Sequence, residues 1–178
     1  ARVDGRDCRI AKAEPLDRSD AHVVHEHVAA GDEPAQRARA LLQMVGLGGF
    51  EEAYPRELSG GMAQRVAITR ALIHEPALLL MDGPFGALDA QTRQFMQESL
   101  LDIWQKEKKT VIFITHGVEE AIFLSSRIVV MTSRPGRIRE VIPVDIPYPR
   151  QAGVQTTPAF IKLRAEVDKI VREEFQKH

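Results

Sequence analysis

The chain has 178 residues, of which 44% are hydrophobic and 28% charged, a composition that suits a globular domain with a sizeable core and speaks against disorder. Its 24 Lys+Arg against 25 Asp+Glu give a formal net charge of −1, so no electrostatic footprint points to nucleic acid or an anionic membrane. The single cysteine, Cys8, has no internal partner and fits a reducing cytoplasm, and apolar runs such as Ala77 to Met81 fall far short of the roughly 20 residues a membrane span needs. Arg2, Asp4, Arg6 and Asp7 have no apolar stretch behind them, so no secretory signal is expected. A soluble chain follows, with any membrane role exercised through a partner.

Residues 1 to 33 carry scattered charges and no apolar period, and Pro15 interrupts any helix, so they are read as a poorly defined lead-in. His22, His25 and His27 cluster there without the HExxH spacing of a zinc enzyme, and a solvated segment is expected rather than a metal site. From Pro34, placed at a first helical position, Ala38, Leu41, Leu42 and Val45 recur at helical spacing, and Gly46 stops the helix. After a loop with Gly48, Gly49 and Pro55, Ser59 stands as N-cap of a helix from Gly60 to about Glu75, closed by Pro76. Its inward positions, Ala63, Val66, Ala67 and Ala71, are small enough for close packing.

Ala77 to Met81 is apolar on both faces, as in a buried parallel strand. A helix from about Ala90 to Lys108 follows, with Phe95, Leu101 and Trp104 as expected core anchors. Thr110 to Thr115 reads as a second buried strand, Val118 to Leu124 as a short helix and Arg127 to Thr132 as a third strand. Ile138 to Ile146, after the Pro135-Gly136 turn, reads as a further strand or hairpin arm. A linker marked by Pro147, Pro149 and Pro158 leads to a last helix with the apolar stripe Phe160, Leu163, Val167, Ile170 and Val171, and Thr157 as its cap. Alternating strands and helices predict an α/β domain with a mostly parallel sheet flanked by helices and a C-terminal helix. Three segments are expected: 1–33, 34–146 and 147–178.

Chemistry concentrates at three points. Two glycines after a capping serine (Ser59, Gly60, Gly61) leave bare backbone N–H groups at the positive end of a helix dipole, an arrangement suited to phosphate. The plainer reading, a helix that merely begins at a glycine-rich turn, has equal standing from these residues alone. Asp82 ends a strand where α/β sheets bind ligands, and a carboxylate there commonly serves magnesium. Asp89 and His116 follow in loops after strands, so three polar groups are expected to leave one edge of a sheet.

LSGGMAQR (58–65), LLLMD (78–82), GALD (86–89) and ITH (114–116), in this order and spacing, resemble the nucleotide-binding domain of an ABC transporter. They are similar to that family's signature motif, Walker B strand, D-loop and switch histidine. The likeness runs from about Glu33 to the C-terminus, and the segment from Met131 through Tyr148-Pro-Arg150 into the last helix resembles the nitrate, sulfonate and taurine importer branch. The resemblance implies a P-loop NTPase-like fold, ATP and Mg2+ as cofactors, and a head-to-tail dimer with a second ATP-binding subunit that sandwiches two ATP molecules. It also implies a transmembrane permease as partner, no nucleic acid, and a peripheral place on the cytoplasmic side of the inner membrane. Carried over by residue, Ser59, Gly60 and Gly61 would bond the γ-phosphate held by the partner, with Gln64 beside them. Asp82 would hold magnesium, His116 would touch the γ-phosphate of the chain's own nucleotide, and Asp89 would cross the dimer interface.

Two departures set limits on this. None of the twelve glycines is followed by lysine, so the P-loop pattern G-x-x-x-x-G-K-[ST] is absent from these residues, and the family's Q-loop glutamine has no counterpart. Only Val24-His-Glu-His-Val28 faintly resembles the segment after that loop. Gly83 stands where the family has the glutamate that polarises the attacking water, a loss that typically costs ~10²–10⁴ in rate. The resemblance therefore implies an ATP-binding, energy-coupling importer subunit whose own site is defective, with an intact signature half. The alternatives are a non-catalytic or truncated module that supplies only the signature motif to a partner, with the P-loop encoded upstream in the truncated case, and an ABC protein of translation or DNA repair, which the balanced charge disfavours.

Overall fold

A computed structural model describes residues 10–12, 32–86 and 88–176. The chain divides into two compact units, Ala1–Ile114 and Thr115–His178. His22, His25, His27 and the Val24–Val28 segment lie outside the described residues.

In the first unit, helix α1 (Asp32–Met44) begins two residues before Pro34, and its expected stripe of Ala38, Leu41, Leu42 and Val45 is buried. Gly46 ends it at φ +69°, with Gly46 N donating to Gln43 O at 3.1 Å and Leu47 N to Leu42 O at 2.8 Å. These two bonds form the paired glycine C-cap that satisfies the last helical carbonyls. Helix α2 (Gly60–Ile73) buries Val66, Ala67, Ile68, Ala71 and Leu72, while Ala63 is only half-buried. Each large apolar side chain buried here contributes about 1.5–3 kcal/mol, more than the glycines of the first turn cost.

Strand β2 (Leu78–Asp82) is central to a parallel sheet of order β1-β2-β3, with β1 at Ile10–Lys12 and β3 at Thr110–Ile114. Strand β1 falls within the segment read as poorly defined: three residues are too short to show a period, and pairing with β2 is what makes them a strand. Helix α3 (Ala90–Glu107) ends one residue earlier than expected, at Lys108 in the left-handed region (φ 51°). Its inward face is Met96, Leu100 and Ile103 with Leu101, so Leu101 is the core anchor expected of it. Phe95, one position out of phase, is 44% exposed, and Trp104 is half-buried, its indole N–H donating to Lys109 O at 2.8 Å. Strand β3 is not the buried strand its composition suggests: among the described residues it pairs only with β2, and Ile112 and Ile114 are 49% and 56% exposed.

An ion cluster ties the helices of this unit together. Arg37 on α1 reaches Glu75 (2.8 Å), Glu107 at the end of α3 (2.6 Å) and the Leu72 carbonyl at the end of α2 (3.2 Å), and Lys109 also pairs with Glu107 at 2.9 Å. Burial alone would raise the Glu107 carboxyl; the hydrogen bonds from Lys109 and Arg37 outweigh it and hold the group below its ordinary value.

The second unit contains α4 (Val118–Leu124), β4 (Arg127–Met131), β5 (Ile138–Pro143) and α5 (Pro158–Phe175). Strand β4 does not extend a parallel sheet: it pairs antiparallel with β5, in a register that sets Ile128 opposite Ile142 and Val129 opposite Val141. The short turn at Pro135-Gly136 permits this hairpin, which a parallel connection would not. Ile122, Phe123, Ile128, Val130, Ile142, Val144, Ile146, Phe160 and Val167 form its core. Thr157 caps α5, accepting from Phe160 N at 3.4 Å, and Arg139 on β5 holds its far end through Glu173, Glu174 and the Ile170 carbonyl. Arg150, only 3% exposed, donates to the carbonyls of Ile122, Phe123 and Ser125 at the end of α4 and to those of Val144 and Ile146. Burial lowers its pKa, and the Tyr148 ring lies 4.0 Å from the guanidinium. The linker that composition marks out by its prolines is thus anchored by one buried cation.

Candidate functional site

Ser59 enters α2 with extended backbone (φ −65°, ψ 161°), and its hydroxyl accepts from Met62 N at 3.2 Å, while its carbonyl takes Ala63 N at 2.8 Å. The Gly60 and Gly61 amides precede Ala63 N, the first intrahelical donor, and among the described residues no hydrogen bond takes either of them. Ser59 and Gly60 are exposed, and Gly61 and Gln64 half-buried. A capping hydroxyl that accepts one bond still has its proton to donate, so the turn offers an O–H and two N–H donors at the positive end of the helix dipole.

The two glycines are not demanded by their own chain. A Cβ at Gly60 would meet nothing within 4 Å, and one at Gly61 would touch only Leu88 Cδ2, at 3.4 Å. Neither has a positive φ. Glycine here costs helix stability without relieving a clash; what it does is leave the amides uncovered. That favours the anion reading of the turn over a plain helix start.

Leu88 brings a second loop to this turn. Phe85 is buried, its ring tilted against that of Phe113 of β3 with centroids 5.6 Å apart, and Arg93 donates to the Leu88 carbonyl at 2.8 Å and the Phe85 carbonyl at 3.3 Å. Asp89 is exposed and caps α3, its Oδ1 accepting from Thr92 N at 3.0 Å. Hydrogen bonds from the Thr92 side chain and amide hold this carboxyl below its ordinary value. Asp89 therefore has a structural duty that the sequence reading did not give it. Arg93 is a residue that reading missed; an arginine four positions after a capping aspartate was the available signal.

Asp82 is exposed at the carboxyl end of β2. The next residue, Gly83, has φ +54°, and its N–H donates to the Ile114 carbonyl at 2.9 Å. Asp82 and Asp89 lie in the first unit; His116 lies in the second, exposed just before the short α4, where Gly117 N donates to Thr115 Oγ1 at 2.9 Å. Among the described residues no three His, Cys, Asp or Glu side chains converge as a metal cage. A lone exposed carboxylate suits Mg2+ that arrives with phosphate oxygens and keeps its waters, so Asp82 fits that ion in this mode.

Comparison with known proteins adds the rest. A family model described as ABC transporter matches residues 7–86. An ABC transporter ATP-binding protein of Methanocaldococcus jannaschii is 52% identical over 146 residues, 82% of this chain and 54% of that protein. The aliphatic sulfonates import ATP-binding protein of Bacillus licheniformis is 50% identical over 151 residues, 82% of this chain and 58% of that protein. The chain spans about half the length of these curated relatives. Among solved structures, the ATP-binding cassette MJ0796, a dimer in a post-hydrolysis state bound to ADP and Pi, is similar with a TM-score of 0.61 and 27% identity, over 76% of this chain and 63% of that one. The fold of cbiO1 from Clostridium perfringens, part of the transporter complex cbiONQ, is similar with a TM-score of 0.63 at 22% identity, over 76% of this chain and 56% of that one.

Proposed function

We propose that the chain is an ATP-binding protein of the ABC transporter family, as its family match and its relatives at 50–52% identity support, and that it works as the energy-coupling subunit of an importer in the nitrate, sulfonate and taurine class, with its Ser59 turn gripping a nucleotide presented by a second ATP-binding subunit. The observation that carries this reading is the exposed turn whose glycines answer no need of their own chain. In use, the Gly60 and Gly61 amides and the Ser59 hydroxyl would donate to the terminal phosphate oxygens, a charge-assisted set stronger than neutral hydrogen bonds. Gln64, one turn further on, lines the same contact. Asp82 would hold Mg2+ through water, and that ion would bridge and neutralise phosphate charge. His116 would orient the γ-phosphate of the chain's own nucleotide, and Asp89 would meet the partner subunit. The importer class is supported by the sulfonate-import relatives at 50–51% identity. The partners are a second ATP-binding subunit in a head-to-tail dimer and a permease, which would hold the chain at the cytoplasmic face of the inner membrane.

These 178 residues contain no P-loop lysine after any glycine, and Gly83 offers no general base. With Gly83 in place of a carboxylate, the role proposed for these residues is to complete a nucleotide site on another polypeptide, with slow turnover at their own half. Purified alone, it binds ATP no better than about millimolar and shows no magnesium-dependent hydrolysis above blank. Mixed with the Bacillus licheniformis relative and ATP-Mg2+, it forms a nucleotide-dependent complex on sizing chromatography. Ser59→Asp keeps the helix cap but sets a negative charge against the phosphate, so it leaves the fold intact and abolishes that complex. Robust turnover by the isolated chain, or an undiminished complex with Ser59→Asp, would refute the reading.

A further inference from the structure

One charged residue of the signature stretch has no part in the contacts above. Arg65, half-buried on α2, turns its side chain back toward the start of the helix, as long helical side chains do. Its Nη1 donates to the Val45 carbonyl at 2.9 Å and lies 3.4 Å from the Gly46 carbonyl, while its Nε lies 3.4 Å from the Gly61 carbonyl. Val45 and Gly46 close α1, where unpaired carbonyls carry the negative end of that helix's dipole. Gly61 belongs to the first turn of α2. One guanidinium thus spans the end of one helix and the start of the next. Gly46 is called for by its φ of +69° rather than by space, since a Cβ there would only touch Nη1 at 3.4 Å and the Phe95 ring at 3.5 Å.

Resting on the nucleotide reading of the Ser59 turn, we propose that Arg65 is a positioning residue for that turn: it fixes the first turn of α2 against the end of α1 and so aims the Gly60 and Gly61 amides at the phosphate. All its hydrogen-bond partners among the described residues are carbonyls, so its positive charge is held in place without being cancelled by a carboxylate. Lysine keeps the charge on a single donor nitrogen but not the forked geometry. Methionine keeps the packing stem and loses both.

The experiment uses the full chain labelled with ¹⁵N and follows the Gly60 and Gly61 amide signals during titration with inorganic phosphate. Arg65→Met is expected to shift both signals before any phosphate is added and to weaken phosphate binding about fivefold, with Arg65→Lys recovering to within about twofold of the parent. A purely structural arginine would lower thermal stability without moving those signals or that affinity, and that result overturns the proposal. Should Arg65→Met fail to fold, Arg65→Gln, uncharged and still polar, takes its place under the same criteria. If the parent chain itself shows no phosphate response at Gly60 and Gly61, the nucleotide reading fails. Positioning is then decided by the ligand-free amide signals alone, which must move in Arg65→Met for it to stand.

Discussion

At position 83 a single glycine accepts a backbone angle that a carboxylate-bearing residue resists. The missing side chain is plain in the sequence; the φ of +54° is not, because it follows from the Gly83 N–H reaching the Ile114 carbonyl on a strand some thirty residues away. Open space surrounds the site of a Cβ there, so any cost of substitution is a backbone cost. A left-handed angle costs an ordinary residue about 1–2 kcal/mol, and asparagine less. Gly83→Glu is accordingly expected to lower unfolding free energy in urea by about that amount, and Gly83→Asn by less than half of it. A Glu variant as stable as the parent would mean that the turn readjusts. A carboxylate introduced at this position would therefore come with backbone strain beside Asp82.

Helix ends were the legible part of the elements. Gly46 closes α1, Ser59 opens α2 and Thr157 opens α5, each through bonds to residues within five positions, whereas the equally local Asp89 cap of α3 went unread. Local chemistry of that range is written in the sequence. Ties across the chain were not: Arg37 meets Glu107 seventy positions away, and Arg150 meets the end of α4 more than twenty positions back. The Arg37 cluster makes a prediction in pH. The folded Glu107 carboxyl gives up its proton more readily than the unfolded one, whose ordinary value is 4.5. Its stabilising effect is therefore complete above the unfolded value and is lost as pH falls through the folded value. Urea midpoints measured downward from pH 7 should fall more steeply below about pH 4.5 in the parent than in Glu107→Gln. Parallel curves would show that Arg37 and Lys109 do not depend on that charge.

Over the whole molecule, the alternation of strands and helices identified the α/β class, yet composition overstated burial. Thr110 to Ile114 is apolar enough for a covered strand, but a strand's cover depends on neighbours that its own residues do not specify. In the first unit Ile112 and Ile114 stand open on β3, and in the second Val129 and Met131 on β4 share an open face with Ile138 and Val141 on β5. Scattered exposed aliphatics are ordinary on protein surfaces; contiguous strips are not, and they bind apolar probes. The folded chain should therefore enhance the fluorescence of anilinonaphthalene sulfonate below its unfolding transition. Ile112→Thr with Ile114→Thr, and separately Val129→Thr with Val141→Thr, should each lower that signal, because threonine keeps β-branched strand propensity while reducing apolar surface. Their urea midpoints should stay close to the parent's, since the replaced residues are about half exposed in place and little burial is lost. A signal indifferent to both pairs would place the probe elsewhere and remove the strips as the molecule's open apolar surface.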